Sequence, residues 1–187
     1  MRTRTLLTVT AALSLLILAG CGSGTENGEA TEDGAANTQM HGGSEETMDA
    51  SSPDALAEQT FKLYMQAMQE CTEALADNPD SATAVERVTA IRDKYAEQLV
   101  AIGKKREALD EQGKMAFDRA LFSQMSNNVP PGTFEKYQEV QSPYSTDPNA
   151  GKLTNSINII TQYTNFDLLS KQEPEEAQKY GVYKEQE

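Results

Sequence analysis

SPDALAEQTFKLYMQAMQECTEALA, residues 52–76, is written in the period of an α-helix. Ser52 is a helix N-cap, Pro53 suits the first helical position, and Asp54 places an acid in the first turn. Leu56, Thr60, Leu63, Ala67, Cys71 and Ala74 recur at steps of three and four, and Phe61, Tyr64, Met68 and Leu75 widen the stripe. The helix is expected to end near Ala76, because Asp77-Asn78-Pro79-Asp80 is a cluster of breakers. A second helix is expected from Ser81, with Val85, Val88, Ile91, Tyr95, Leu99 and Ile102 on one stripe. Arg87, Asp93, Lys94 and Glu97 lie off that stripe and read as a solvated face. The short connection predicts an antiparallel helical hairpin.

Downstream, Gly103 and Gly113 interrupt the pattern. Either a third helix opens with Asp110 as N-cap, or the second runs on to Gln112. In both cases Met115, Ala116, Leu121, Phe122 and Met125 read as a helix reaching about Ser126. Asn127-Asn128-Val129-Pro130-Pro131-Gly132 is a firm break, and Thr133 to Gln141 reads as a short helix. Ser142 to Gly151 reads as loop. Leu153, Ile157, Ile160 and Thr164 then give another helical face, although the β-branched run at 157–161 also permits a strand. The tail from Glu173 is expected to carry a last turn or two. No alternating pattern is long enough for a sheet. The fold expected for residues 53–187 is an all-α bundle of four or five helices built on the hairpin.

The chain before this region has a different composition. Arg2 and Arg4 precede an apolar run of 13 residues, Leu6 to Leu18, followed by Ala19, Gly20 and Cys21. The layout is that of a secretory signal, residues 1–20, and the run is short of the roughly 20 residues a membrane span needs. Leu18-Ala19-Gly20-Cys21 resembles the lipobox of bacterial lipoproteins. The resemblance covers only residues 1–21. It implies cleavage before Cys21, a diacylglyceryl group on the Cys21 sulfur and, in many bacteria, a fatty acyl group such as palmitate on the new amine. Two or three chains hold a protein stably at a membrane, whereas one holds it marginally. Gly22 stands where inner-membrane lipoproteins often carry Asp, which mildly favours an outer membrane in a host that has one.

Residues 22–52 follow as a tether rich in Gly, Ser, Thr and Asn. They carry seven acids and no Lys or Arg. Such a segment cannot bury enough surface to offset its ordering entropy, so it is expected to be disordered. The chain as a whole has 16 basic and 29 acidic residues. Loss of Arg2 and Arg4 with the signal leaves 14 against 29, a charge of −15. That acidity repels phosphate backbones and excludes nucleic acid as a plausible partner.

The sequence is sparing in chemistry. His41 is its one histidine and falls in the tether, so neither a Ser-His-Asp nor a Cys-His arrangement is available. Zinc sites need about four His or Cys ligands, which the chain lacks. Met40-His41 with Met48 is a thin set for a soft metal. No cofactor or metal is expected. Cys71, on the apolar stripe, reads as a small buried hydrophobe, and flanking Glu70 and Glu73 oppose thiolate formation.

Acids on the first two helices read as solvated. Asp110, Asp118 and Asp167 are the ones left as candidates for carboxylate chemistry on glycan. Phe134, Tyr137, Tyr144, Tyr180 and Tyr183 are candidate exposed contacts, and Arg92, Arg106 or Arg119 would line a pocket if one exists. The expectation is a lipid-anchored envelope protein, facing periplasm or exterior. Its helical domain is expected to be non-catalytic and to bind an envelope protein or peptidoglycan. The alternative is a domain that binds a small ligand or acts on cell-wall glycan through carboxylates.

Overall fold

A computed structural model describes residues 51–185. The signal segment, Cys21, the tether and the Met40-His41-Met48 set lie outside the described residues. Every regular element among the described residues is helical: seven α-helices and two 3₁₀ segments, with no strand. That is more pieces than the four or five expected, because the C-terminal half is cut into short helices.

The first helix, α1 (Pro53–Leu75), starts as its sequence directs: the Ser52 hydroxyl accepts from the Ala55 N–H. Helix α2 (Ser81–Glu107) is capped by Asp80, which accepts from the Thr83 N–H. The two run antiparallel. Glu70 accepts from Lys94 and from the Tyr95 hydroxyl, both at 2.7 Å. Arg87 donates at 2.7 Å to the Ala74 carbonyl and to Asp77, closing the C-terminus of α1 with a cation. The charged face of α2 is therefore partly a contact face rather than a fully solvated one.

Asp110 accepts from the Gly113 N–H and opens a separate helix, α3 (Glu111–Asn127), which settles the alternative left at Gln112. Gly103 is no interruption but lies inside α2. A Cβ there would meet the Phe166 ring at 2.6 Å and the Tyr163 carbonyl at 2.9 Å, so glycine permits a close approach of chain to chain.

Gly132, at φ +80°, leads into α4 (Thr133–Gln141). A one-turn 3₁₀ segment (Ser142–Tyr144) follows, then α5 (Pro148–Ser156) begins inside the stretch expected to be loop. Its start repeats the grammar of Ser52-Pro53: Asp147 accepts from the N–H groups of Asn149 and Ala150, and Pro148 sits at the first helical position.

The β-branched run is neither strand nor α-helix but a 3₁₀ segment (Ile157–Thr164). Ile157, Ile160 and Tyr163 are all buried. Steps of three suit three residues per turn, so these side chains line up in one ridge. Two short helices end the chain, α6 (Phe166–Gln172) and α7 (Pro174–Lys179).

Helix α1 is central, with α2, α3, α4 and the long 3₁₀ segment packed around it. The main core gathers Tyr64, Met68, Cys71, Val88, Leu99 and the 3₁₀ ridge. A smaller one joins Leu56 and Ala57 to Ile102 and Phe117, where α3, which packs along α1, meets the start of α1 and the end of α2. Three of the candidate exposed contacts belong to the interior. Tyr137 and Tyr144 are buried and Tyr180 packs against the main core. The Tyr137 hydroxyl donates to the Thr154 carbonyl, and that of Tyr144 to the Pro79 carbonyl at 2.7 Å, so each phenol enters the core with its polar end satisfied. The other two candidates, Phe134 and Tyr183, are exposed.

Candidate functional site

Cys71 is wholly buried, and burial first, then the neighbouring Glu70 carboxylate, push its thiol up to about 12. It is a core residue. Of the acids singled out, Asp110 is spent as the α3 cap. The other two, with Arg106, come together where α2 ends, α3 begins and α6 passes. Arg106 is buried with its ring of donors turned to Asp118, at 3.0 Å to each carboxylate oxygen, and its guanidinium lies 5.5 Å from the Phe117 ring centre. Asp167 takes a hydrogen bond from Lys184 at 3.2 Å. Lys184 also donates to Glu107 at 2.7 Å, and its backbone N–H donates to the Ser170 hydroxyl. Burial disfavours the Lys184 ammonium, but hydrogen bonds to Glu107 and Asp167 outweigh this and hold it above its ordinary value.

Glu107 is the member of this cluster that sequence reading missed. One of its oxygens faces Lys184, and the other is buried with no hydrogen bond, 3.5 Å from Arg106. The tail is thus strapped to the end of α2 by a lysine from 77 positions away. No local pattern announces such a contact.

In front of the cluster lies a concavity of about 430 Å³ whose apolar lining is Met115 and Leu168, with Arg106, Asp118, Asp167 and Lys171 around them. Glu111 also lines it, and all three carboxylates there pair with a cation: Asp118 with Arg106, Asp167 with Lys184 and Glu111 with Lys114. Beyond Met115, the outer side of α3 carries Asp118, Arg119 and Phe122, all exposed, and Phe122 is 74% exposed.

Two other concavities are separate from it. A groove of about 470 Å³ runs between α1 and the α3–α4 connection, lined by Phe61, Met65, Thr72, Pro130 and Lys136 among others. A pocket of about 200 Å³ is bordered by Arg92, Gln162, Tyr163 and Glu176. Arg92 pairs there with Asp93 at 2.8 Å and Glu176 at 3.4 Å, and the Tyr163 hydroxyl donates to Glu176 at 3.0 Å. Gln162 is 5% exposed, and its side-chain oxygen is buried without a partner.

Arg92 and Arg106 therefore border concavities, as a ligand-binding reading expects, while Arg119 stands on the outer side of α3. Among the described residues no group of three or more His, Cys, Asp and Glu is placed to hold a metal ion, and no helix is long and apolar enough to cross a membrane.

No family model, curated protein or solved structure matches the chain.

Proposed function

We propose that this protein is a lipid-anchored component of a bacterial cell envelope. Acyl chains on Cys21 would hold it at the membrane, the acidic segment 22–52 would act as a tether, and residues 53–187 would be a non-catalytic interaction domain. The observation that carries the anchor is Leu18-Ala19-Gly20-Cys21 behind a basic start and a short apolar run. The observation that supports an interaction role is the outer side of α3, where Met115 and Phe122 are exposed beside a concavity. Large apolar side chains grouped on a surface mark contact sites.

The small-ligand alternative draws its support from the Arg92 pocket and the unpartnered Gln162 oxygen, since a buried polar group without a partner calls for a reason.

Mass spectrometry of the N-terminus from native membranes tests the anchor. The expected species begins at an acylated Cys21, and an unmodified Cys21 sinks it. A photoreactive residue at Arg119, activated in intact cells, tests the interaction role. Crosslinks to protein are expected. Crosslinks to no protein, with none of the domain bound to isolated cell wall, would leave the ligand reading in its place.

A further inference from the structure

The pocket of about 200 Å³ at Arg92 is walled by separate pieces of chain. Arg92 comes from α2, Asn149 and Lys152 from α5, and Gln162 and Tyr163 from the long 3₁₀ segment. Glu175 and Glu176 come from the first turn of α7. None of these belongs to α3, so the pocket is independent of the exposed Met115–Phe122 side. Drug-sized molecules occupy pockets of roughly 300–1,000 Å³. This one is smaller and suits a molecule the size of an amino acid.

Its polar groups are only partly spent on one another. Arg92 turns Nε and Nη2 to Asp93, at 3.1 and 2.8 Å, and Nη2 stands 3.4 Å from Glu176. Its Nη1 makes no hydrogen bond among the described residues. The Lys152 ammonium is 3.6 Å from Glu173, beyond an ordinary hydrogen bond. Glu176 is held by Arg92 and by the Tyr163 hydroxyl, whereas Glu175 makes no ion pair among the described residues. The hollow is thus faced by two cations with donors to spare and by a carboxylate without a cation.

Gln162 adds a group that the fold itself does not use. It is 5% exposed, and its side-chain oxygen is buried without a partner. An unmet acceptor costs stability that an apolar side chain of similar size would not. The buried ridge of the 3₁₀ segment is made by Ile157, Ile160 and Tyr163, and position 162 lies off that step of three. The last torsion of a glutamine side chain is soft, so its carboxamide can turn the oxygen towards a donor that enters the pocket.

We propose that this pocket binds a zwitterion of amino-acid size. Its carboxylate would lie between Arg92 and Lys152, and its ammonium between Glu175 and the Gln162 oxygen. A lone anion would face the α7 carboxylates, and a lone cation would face Arg92 and Lys152. A molecule carrying both charges meets each wall with its opposite, as a free α-amino acid does. The proposal deepens the small-ligand reading and rests on it; it does not depend on a lipid at Cys21.

The test uses the chain from residue 21, with Cys21→Ser, labelled with ¹⁵N. It is titrated with glycine, L-alanine, D-alanine and L-glutamate, and separately with acetate and methylamine, which carry one charge each. At least one amino acid should move the backbone signals of Asn149, Lys152, Gln162 and Glu175 saturably. Acetate and methylamine should bind at least about tenfold more weakly, for want of one charged partner. Lys152→Glu and Glu175→Lys change exposed residues. Each should weaken binding by about tenfold or more, the worth of a hydrogen bond to a charged group. Circular dichroism should stay unchanged in both.

Gln162→Leu separates a ligand role from a structural one. It should weaken binding by about tenfold while leaving the urea midpoint unchanged or higher, because an unmet oxygen is removed. Acetate or methylamine binding as well as the amino acids, or full binding by Gln162→Leu, would overturn the zwitterion and leave the small-ligand reading standing. No response to any probe at about 10 mM, a free energy of under 3 kcal/mol, would also overturn it. A lowered midpoint for Gln162→Leu alongside that result would remove the small-ligand reading as well.

Discussion

At Cys71 the interior decides the chemistry. The thiol is wholly buried on α1 among Tyr64, Met68 and Tyr137, and its upward shift to about 12 leaves little thiolate at neutral pH. Thiol reagents at pH 8 should therefore label the folded protein only as fast as it opens, whereas denaturant should restore the rate of a free cysteine. Fast labelling without denaturant would remove Cys71 from the core. Cys71→Ser should cost about 1–3 kcal/mol in urea unfolding, because its hydroxyl would be buried where the sulfur makes no hydrogen bond. Cys71 was legible because its position on the stripe and its acidic neighbours agreed. Tyr137 and Tyr144 were not, since a phenol reads equally well as surface or core until its oxygen finds an acceptor. Here the acceptors are main-chain carbonyls 17 and 65 positions away.

Among the elements, the long helices and the short α4 were legible, and the short pieces after Gln141 were not. The starts of α1, α2, α3 and α4 follow from Ser52, Asp80, Asp110 and Gly132, each beside a periodic run or a break. Helix α5 begins with the same pairing of cap and proline at Asp147-Pro148, but its nine residues carry too few apolar positions to show a period. The 3₁₀ segment was ambiguous because its repeat of three fits neither the helical nor the strand template.

Gly103 was misread for a related reason, since a glycine inside a helical pattern resembles a break until the neighbour it admits is known. Gly103→Ala tests that neighbour. Alanine adds about 1 kcal/mol of helix propensity. The new Cβ would press on a main-chain carbonyl and on the Phe166 ring, held at 5% exposure, and overpacking of this kind costs about 1–3 kcal/mol. The expected result is a lower midpoint in urea. A stabilised variant would show that the 3₁₀ segment gives way freely.

Across the whole molecule, carboxylates tie the ends of elements to one another, and acid should loosen them. The Thr83 N–H holds Asp80 below the usual carboxylate range, the Ala150 and Asn149 N–H groups do so for Asp147, and Lys94, then Tyr95, do so for Glu70. A depressed folded value means that the stabilisation is complete above the unfolded values of about 3.9 for Asp and 4.3 for Glu. It is lost as pH falls through the folded values. The melting midpoint should thus fall between about pH 5 and pH 2. Asn caps a helix without titrating, so Asp80→Asn with Asp147→Asn should make that fall shallower. An unchanged slope would show that the caps contribute nothing to it. This scale was the least legible in sequence, because the grouping of Arg106, Glu107, Asp167 and Lys184 depends on how the tail returns to α2.

That return also fixes where the chain enters and leaves. The start of α1 packs on Ile102 near the end of α2, and Lys184 is fastened to Glu107 at that same end. Both ends of the described chain therefore leave the molecule at one pole, so it hangs from its two ends like a bell. The Asp77–Asp80 turn, at the far end of the hairpin, is the clapper: among the described residues it is the part of the hairpin most remote from both residue 51 and residue 185.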